Sequence, residues 1–319
     1  MGYGIGGHLA ISQQSSFGTA TANWIYMPFI SESVTDNIEQ LQSENLKARF
    51  DAPDNLEGIN NVTGDIVFEP HPTVLGEILR GNIGQAAVAS NPSSVYIHEF
   101  IPAQSDFDSN CALPPYTMAI FRNVGSQYQY TDVQFHTLAF EIVAGAIVRA
   151  TATVHARTTS LQNPTTPSFT EYTPFTWNQT SVEIGGAANS VLESATITIE
   201  NPIEGVPTLN GAKTEALLKR SDFRNITITG DQDFSSQTEY NRFRAQTRTA
   251  FKLSITGTEI VTGYNEQLIF DLPQVNYTTF EAPIGGPGRI TAAYEGKAEY
   301  FVNSSYTMRT TLQNTLAAY

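Results

Sequence analysis

Between Val148 and His155 the chain alternates without a break, with Val148, Ala150, Ala152 and Val154 set against Arg149, Thr151, Thr153 and His155. Side chains along a strand point to opposite faces in turn, so this period of two predicts a half-buried strand. Val191 to Glu200 alternates in the same way, and Ser181 to Ile184 reads as a strand closed by a Gly185-Gly186 turn. Further strand patterns cover Val62–Phe68, Tyr116–Phe121, Gln134–Ile142, Ile226–Thr229, Phe251–Ile255, Leu268–Leu272, Arg289–Tyr294 and Thr307–Leu312, while Trp24–Ile30 is a strongly apolar run expected to enter the first core. Helical spacing is confined to two short places. Leu75, Ile78 and Leu79 recur at intervals of three and four within 72–80, ahead of Gly81, and Tyr240 and Phe243 do so with Arg242 and Arg244 turned outward. The prediction is a mainly β protein with two short helices.

The pattern also repeats. Val62-Thr-Gly-Asp-Ile-Val-Phe68 and Ile228-Thr-Gly-Asp-Gln-Asp-Phe234 share Thr, Gly, Asp and Phe at one offset (229 − 63 = 166), and each is followed by a helical pattern. A second echo lies further on. Tyr130 to Phe135 and Tyr264 to Phe270 open β-rich runs that pass through glycine to Arg149 and Arg289, where the offset is 289 − 149 = 140. The 26 residues lost between the two offsets match an insertion in the first copy, the turn-rich stretch 87–115. A duplicated unit decides the architecture. The expectation is two tandem β-sandwich or half-barrel units, each with one flanking helix.

The boundaries follow from composition. Residues 1–23 are rich in Gly, Ser, Gln and Thr with Leu9, Ile11 and Phe17 as the apolar anchors. They read as an arm, either frayed or ordered against a neighbouring subunit. The first unit is 24–156. Within it, 31–61 is polar and acidic with widely spaced Leu41, Leu46 and Phe50, as suits a partly exposed strand pair or an extended loop. The insertion 87–115 sets Pro92, Pro102, Pro114 and Pro115 around Val95, Tyr96, Ile97, Phe100 and Ile101, and a loop of that length is usually functional. The linker is 157–174, with three prolines among hydroxyl residues. The second unit is 175–319.

Composition narrows the function. The 319 residues are 40% hydrophobic and 15% charged, which argues for a real core, and 17 basic residues against 31 acidic ones leave a net charge of −14. Such a chain repels phosphates, so binding to nucleic acid or an anionic membrane surface is disfavoured. The single cysteine, Cys111, rules out an intramolecular disulfide framework and fits synthesis in a reducing cytoplasm. Met1 to His8 has neither the basic region nor the apolar core of an export signal, and no apolar run has the length of a membrane span.

No constellation points to chemistry. Gly2, Gly4 and Gly7 match a dinucleotide fingerprint by letter, yet no strand precedes them. His8, His71, His98, His136 and His155 are scattered, with no pair at metal-ligand spacing. Glu32, Asp36 and Glu39, or Asp51, Asp54 and Glu57, could be paired carboxylates, but a solvated acidic face explains them better. Gly285-Gly-Pro-Gly288 reads as a strand connection. No cofactor, metal or enzymatic activity is expected.

One ordered series of motifs carries a resemblance. It runs through Glu193-Ser-Ala-Thr-Ile-Thr-Ile-Glu-Asn201, Leu209-Asn-Gly211, Phe223 to Phe234, Glu239-Tyr-Asn-Arg-Phe243, Leu272-Pro273, Tyr277, Gly285 to Ile290, Glu295-Gly-Lys-Ala298 and Thr311-Leu-Gln-Asn-Thr315. Leu9-Ala-Ile-Ser12, Phe17-Gly-Thr-Ala20, Pro28 to Ser33 and Val62 to Ile66 extend it to the first half. The series resembles the tail tube proteins (major tail proteins) of long-tailed bacteriophages. The resemblance implies a structural virion protein of the tail, whose subunits close into rings that stack into a conduit for the genome. Two units per chain imply a homotrimer making a pseudo-hexameric ring, with hexamer rings as the alternative. The other partners implied are tail tip, terminator and tape measure proteins, and DNA passes without specific binding. On this reading Glu32, Asp36, Asp65, Glu193 and Glu200 are candidate lumen-facing acids. Leu9, Ile11, Phe17, Tyr96, Ile97 and Phe100 are candidate contacts between rings. The competing reading is a secreted glycan-binding β-sandwich, with tyrosines as stacking platforms.

Overall fold

The computed structural model describes residues 2–84, 86–91 and 95–319. Pro92, read above as part of the insertion, lies outside the described residues. Strands make up 52% of the chain, about twice the usual share, so the molecule is mainly β.

The first half runs β1 (His8–Gln13), β2 (Ile25–Met27), β3 (Ser31–Glu32), β4 (Thr35–Gln42), β5 (Asn55–Phe68), α1 (Leu75–Ile83), β6 (Ala86–Asn91), β7 (Val95–Phe100), β8 (Tyr116–Phe121), β9 (Gln127–Val143), β10 (Arg149–Ala156) and β11 (Thr158–Gln162). The second runs β12 (Thr180–Ile184), β13 (Ala187–Asn189), β14 (Ser194–Glu200), β15 (Ile203–Val206), β16 (Leu217–Arg220), β17 (Asn225–Asp233), α2 (Thr238–Ala245), β18 (Thr249–Val261), β19 (Tyr264–Glu281), β20 (Thr291–Ala298) and β21 (Arg309–Asn314). All but β15 and β16 join one antiparallel network.

In the first half β5 pairs with β10 and β10 with the C-terminal part of β9, while the N-terminal part of β9 takes β8 and β11. Strand β8 then takes β1, and β1 takes β2. In the second half β17 pairs with β20 and β20 with the C-terminal part of β19, while the N-terminal part of β19 takes β18 and β21. Strand β18 takes β12, and β12 takes β13. The halves meet at β14, which pairs with β17 on one side and β9 on the other.

One apolar face runs beneath this network. Phe68, Ala150, Phe140, Ile197 and Ile228 stand opposite one another across five strands, and all are buried. Helix α1 packs on that face. Gly81 lets it approach: a Cβ there would lie 2.8 Å from the Phe135 ring and 2.9 Å from that of Tyr116. The helix runs past Gly81 and ends at Gly84, whose φ of +92° suits a left-handed cap, with its N–H donating to the Arg80 carbonyl at 2.8 Å.

Three expectations are corrected here. Residues 1–23 are not a loose arm, because β1 lies between β2 and β8 with Leu9 and Ile11 fully buried. The stretch 157–174 is not all linker, because β11 holds 158–162 in the sheet. The insertion is not a detachable loop: β7 pairs with β21, which buries Phe100 and half-buries Tyr96 and Ile97. Deleting 87–115 would therefore bare β21 and not merely remove a contact between subunits.

The β7–β21 joint carries a titratable lock. His98 Nε2 donates to the Leu316 carbonyl at 2.8 Å, which leaves Nδ1 buried without a hydrogen-bond partner among the described residues. Burial lowers the His98 pKa below the ordinary 6.5, despite the Leu316 contact. The unfolded chain thus takes the proton first, and this contribution to stability is lost as the pH falls below about 6.5. His98→Gln is expected to flatten the loss of urea stability between pH 7 and pH 5.5. Burial lowers His71 and His136 as well, so part of the slope remains in the variant.

Candidate functional site

The other face of the same sheet is mostly polar. One row across it reads Asp65, Thr153, Thr137, Glu200 and Asn225. The next reads Val67, Thr151, Ala139, Thr198, Thr227 and Lys297, and a third reads Arg149, Glu141, Thr196, Thr229, Glu295 and Thr279. Threonine dominates because its branched side chain suits the pleat while its hydroxyl suits water. On these rows and the adjoining Asp231, carboxylates outnumber cations: Asp65, Glu141, Glu200, Asp231 and Glu295 stand against Arg149 and Lys297. The face has no chemical centre and is a broad hydroxylated and acidic surface. Among the described residues, no group of three or more His, Cys, Asp or Glu side chains is gathered as a metal site would need.

Both repeated Thr-Gly-Asp motifs sit on this face, and both are built alike. The Asp65 N–H donates to Ser33 Oγ at 3.0 Å, and the Asp231 N–H donates to Ser194 Oγ at 3.0 Å. Gly64 and Gly230 are glycines because another stretch of backbone crosses directly over them. A Cβ on Gly64 would lie 2.5 Å from Val34 Cα and 2.7 Å from the Ser33 carbonyl oxygen, and one on Gly230 would lie 2.4 Å from that of Ser194. Asp65 also accepts from Thr153 Oγ1 at 2.7 Å, and Asp231 from Ser194 Oγ at 3.1 Å.

The five acids singled out from sequence divide. Asp65 and Glu200 are exposed on the polar face. Glu193 lies at its margin, where hydrogen bonds from Arg289 hold its pKa below the usual carboxylate range. Glu32 is turned away and engaged: Arg122 Nε and Nη2 donate to its two oxygens at 2.8 and 3.0 Å. Asp36 stands opposite buried Val62, on the other side of the sheet, and accepts from Thr159. Glu141, Asp231 and Glu295 belong to the face and were not singled out. The signal was the alternation itself, since each falls in register with a threonine or an alanine of the adjoining strand.

At one end the face is covered. The segment 201–224 leaves β14, folds over β5 and β10, and returns as β17. Its Glu215 is buried, lies 2.6 Å from His155 Nε2 and accepts from Asn61 Nδ2 at 2.9 Å. The hairpin of β4 and β5 projects, with Leu41, Leu56 and the loop residues Leu46 and Phe50 exposed.

Of the residues read as contacts between rings, Leu9, Ile11 and Phe100 have no free surface to offer. Phe17 lies against the Arg157 guanidinium, 4.7 Å from ring centroid to carbon. Tyr96 and Ile97 are half-buried in β7. A family model described as phage tail tube protein matches residues 4–298. A search of the curated proteins found no match.

Proposed function

The chain belongs to the phage tail tube protein family, and from that premise we propose that three copies close into a ring with the polar face inward. As a tail tube protein it is a structural, non-enzymatic component of the virion tail, and the family implies assembly with itself and with other tail proteins. The glycan-binding alternative falls away with that assignment.

We read the two halves as tandem units, so a trimer presents six. The support is the matching order of pairings around β5–β10–β9 and β17–β20–β19, together with the paired Ser33–Asp65 and Ser194–Asp231 contacts. Strands β4, β5, β10, β9, β14, β17, β20 and β19 supply eight per chain, hence 3 × 8 = 24 around a ring. At the usual strand spacing and tilt, a barrel of that size leaves a bore of about 35–40 Å between side chains. Rings stacked rim to rim then make a conduit wide enough for duplex DNA.

The observation that carries this reading is the face itself: hydroxyls and carboxylates over both halves, with few cations. Each ring holds 3 × −14 = −42 formal charges. An acidic wall repels phosphates and keeps their counterions in place, so DNA slides without adhering. The test puts lysine on the face. Tubes of a Thr198→Lys, Thr229→Lys variant are expected to assemble and to retain duplex DNA on a filter at low salt, releasing it as salt rises. Wild-type tubes are expected to retain none. Lysine-bearing tubes that stay as inert as wild type would turn the face outward. Electron microscopy of wild-type tubes gives the ring directly, and a solid rod would end the proposal.

A further inference from the structure

The join between the two halves is also the pattern for the join between two chains. Strand β14 adds to the free edge of β9 in residues 137–143, with Thr198 opposite Ala139. The Ala144 N–H donates to the Glu193 carbonyl, so ladder bonds alternate from there and the pairs Ala195–Ile142, Ile197–Phe140 and Ile199–Leu138 are the bonded ones. By strand order β14 corresponds to β3–β4: Thr196 faces Thr229 as Thr35 faces Thr63. Likewise Glu281 faces Ala293 as Thr137 faces Thr153, which sets 281–287 in the place of 137–143. Among the described residues β3 and β4 pair only with β5, and no strand covers 282–288. These are two open edges that correspond to the two edges already joined inside the chain.

We propose that β4 of one copy adds to residues 281–285 of the next, antiparallel, with Asn37 opposite Pro283, Asp36 opposite Ile284 and Ile38 opposite Ala282. This rests on the ring reading above and names the surface that closes it. Three observations fit the register. Ile38 and Ile284 are exposed at 52% and 78%, and they take the places of buried Ile199 and Phe140. Pro283 and Pro287 take the places of Ala139 and Val143, whose N–H groups point to the hairpin partner β10. The prolines therefore cost the new ladder no donor, while Ala282 and Ile284 have N–H groups to give. Finally, the outward backbone of Val34 is already engaged, its N–H by Glu32 Oε2 at 3.0 Å and its carbonyl by Arg122 Nη2 at 2.6 Å. The Arg122–Glu32 clasp thus blunts the edge up to Val34, and the ladder opens at Asp36.

The same correspondence places the projecting hairpin. Segment 201–224 follows β14 and lies on the first half, with the Leu218 N–H donating to the Asn110 carbonyl and Asn201 Nδ2 to that of Asn82. The β4–β5 hairpin follows β4, so it lies on the second half of the adjoining copy. Leu41, Leu46, Phe50 and Leu56 then leave water.

Opposite residues in a non-bonded antiparallel pair have Cα atoms about 4.5 Å apart, within disulfide reach. An Asn37→Cys, Pro283→Cys variant, assembled into tubes and oxidised, is expected to give covalent trimers as its main species in denaturing gels. Neither single variant should do so, nor Glu39→Cys, Gly285→Cys, which is off register by four residues. The native Cys111 is buried and does not compete. Ile284→Asp is expected to raise the concentration needed for assembly at least tenfold while leaving the monomer's melting temperature unchanged. Rings seen in the microscope with no cross-link in the double variant would overturn this register and leave the ring standing. A wild-type chain that stays monomeric at high concentration would overturn both.

Discussion

Replacing Arg157 with alanine is expected to cost about 3–4 kcal/mol of folding stability, because it strands a carboxylate that has no exposure at all. Asp132 is fully buried, and Arg157 Nη2 and Nε reach its Oδ2 at 2.7 and 2.8 Å. Its other oxygen accepts from the Gly18 N–H at 2.6 Å. The residue stands at φ +61°, a left-handed conformation that an aspartate tolerates better than most residues do. The pair ties the Phe17–Gly18 segment to β9 at the corner where β10 passes into β11. With the guanidinium gone, the charge stays buried against only the Gly18 N–H and the Gln14 amide, both on Oδ1, and Phe17 loses the cation it lies on. Equilibrium urea unfolding measures the loss. Arg157→Ala with Asp132→Asn should recover part of it, since no unpaired charge remains. If Arg157→Ala unfolds with the wild-type midpoint, water reaches Asp132 freely and the corner is not held as described.

How far the chain could be read before its structure depended on the scale of the signal. Period-two alternation at Val148–His155 and Val191–Glu200 marked β10 and β14 because each has one buried and one wet face, so burial writes itself into every second residue. The Thr-Gly-Asp repeat was legible for a similar reason: a backbone crossing at under 3 Å admits only glycine at Gly64 and Gly230. Strand β1 was missed since Gly, Ser and Gln surround it, and Leu9 to Ile11 become core only by lying between β2 and β8, the latter some hundred residues further along the chain. Which side of the sheet each acid takes could not be read without register. Glu32 and Asp36 precede the first repeated strand and look as exposed as Asp65, yet one residue of shift moves a side chain through the sheet. Nothing local distinguishes Glu32, clasped by Arg122 from 90 residues away, from Glu200, which faces water.

Adding one methyl group at Gly64 is expected to lower stability by about 3 kcal/mol, at the upper end of what overpacking costs, because the atoms it meets are backbone. Val34 Cα and the Ser33 carbonyl cannot swing aside as a side-chain tip would, so β3 and β4 must lift from β5. In a chain of this size that is a fall of roughly 5–10 °C in melting temperature. Gly230→Ala is expected to act alike, against the Ser194 carbonyl 2.4 Å away, and there β14 must lift from β17. Gly286→Ala is the control, since a Cβ there meets nothing within 4 Å. The second site separates two consequences. Strand β14 is the bridge between the halves, so Gly230→Ala should also loosen β9, seen as faster amide exchange in 137–143. Among the described residues β3 and β4 pair only with β5, so the exchange penalty of Gly64→Ala is expected to stay within β3, β4 and β5. If Gly64→Ala melts like Gly286→Ala, the strands do not cross where they are placed, and the correspondence between the two motifs loses its physical basis.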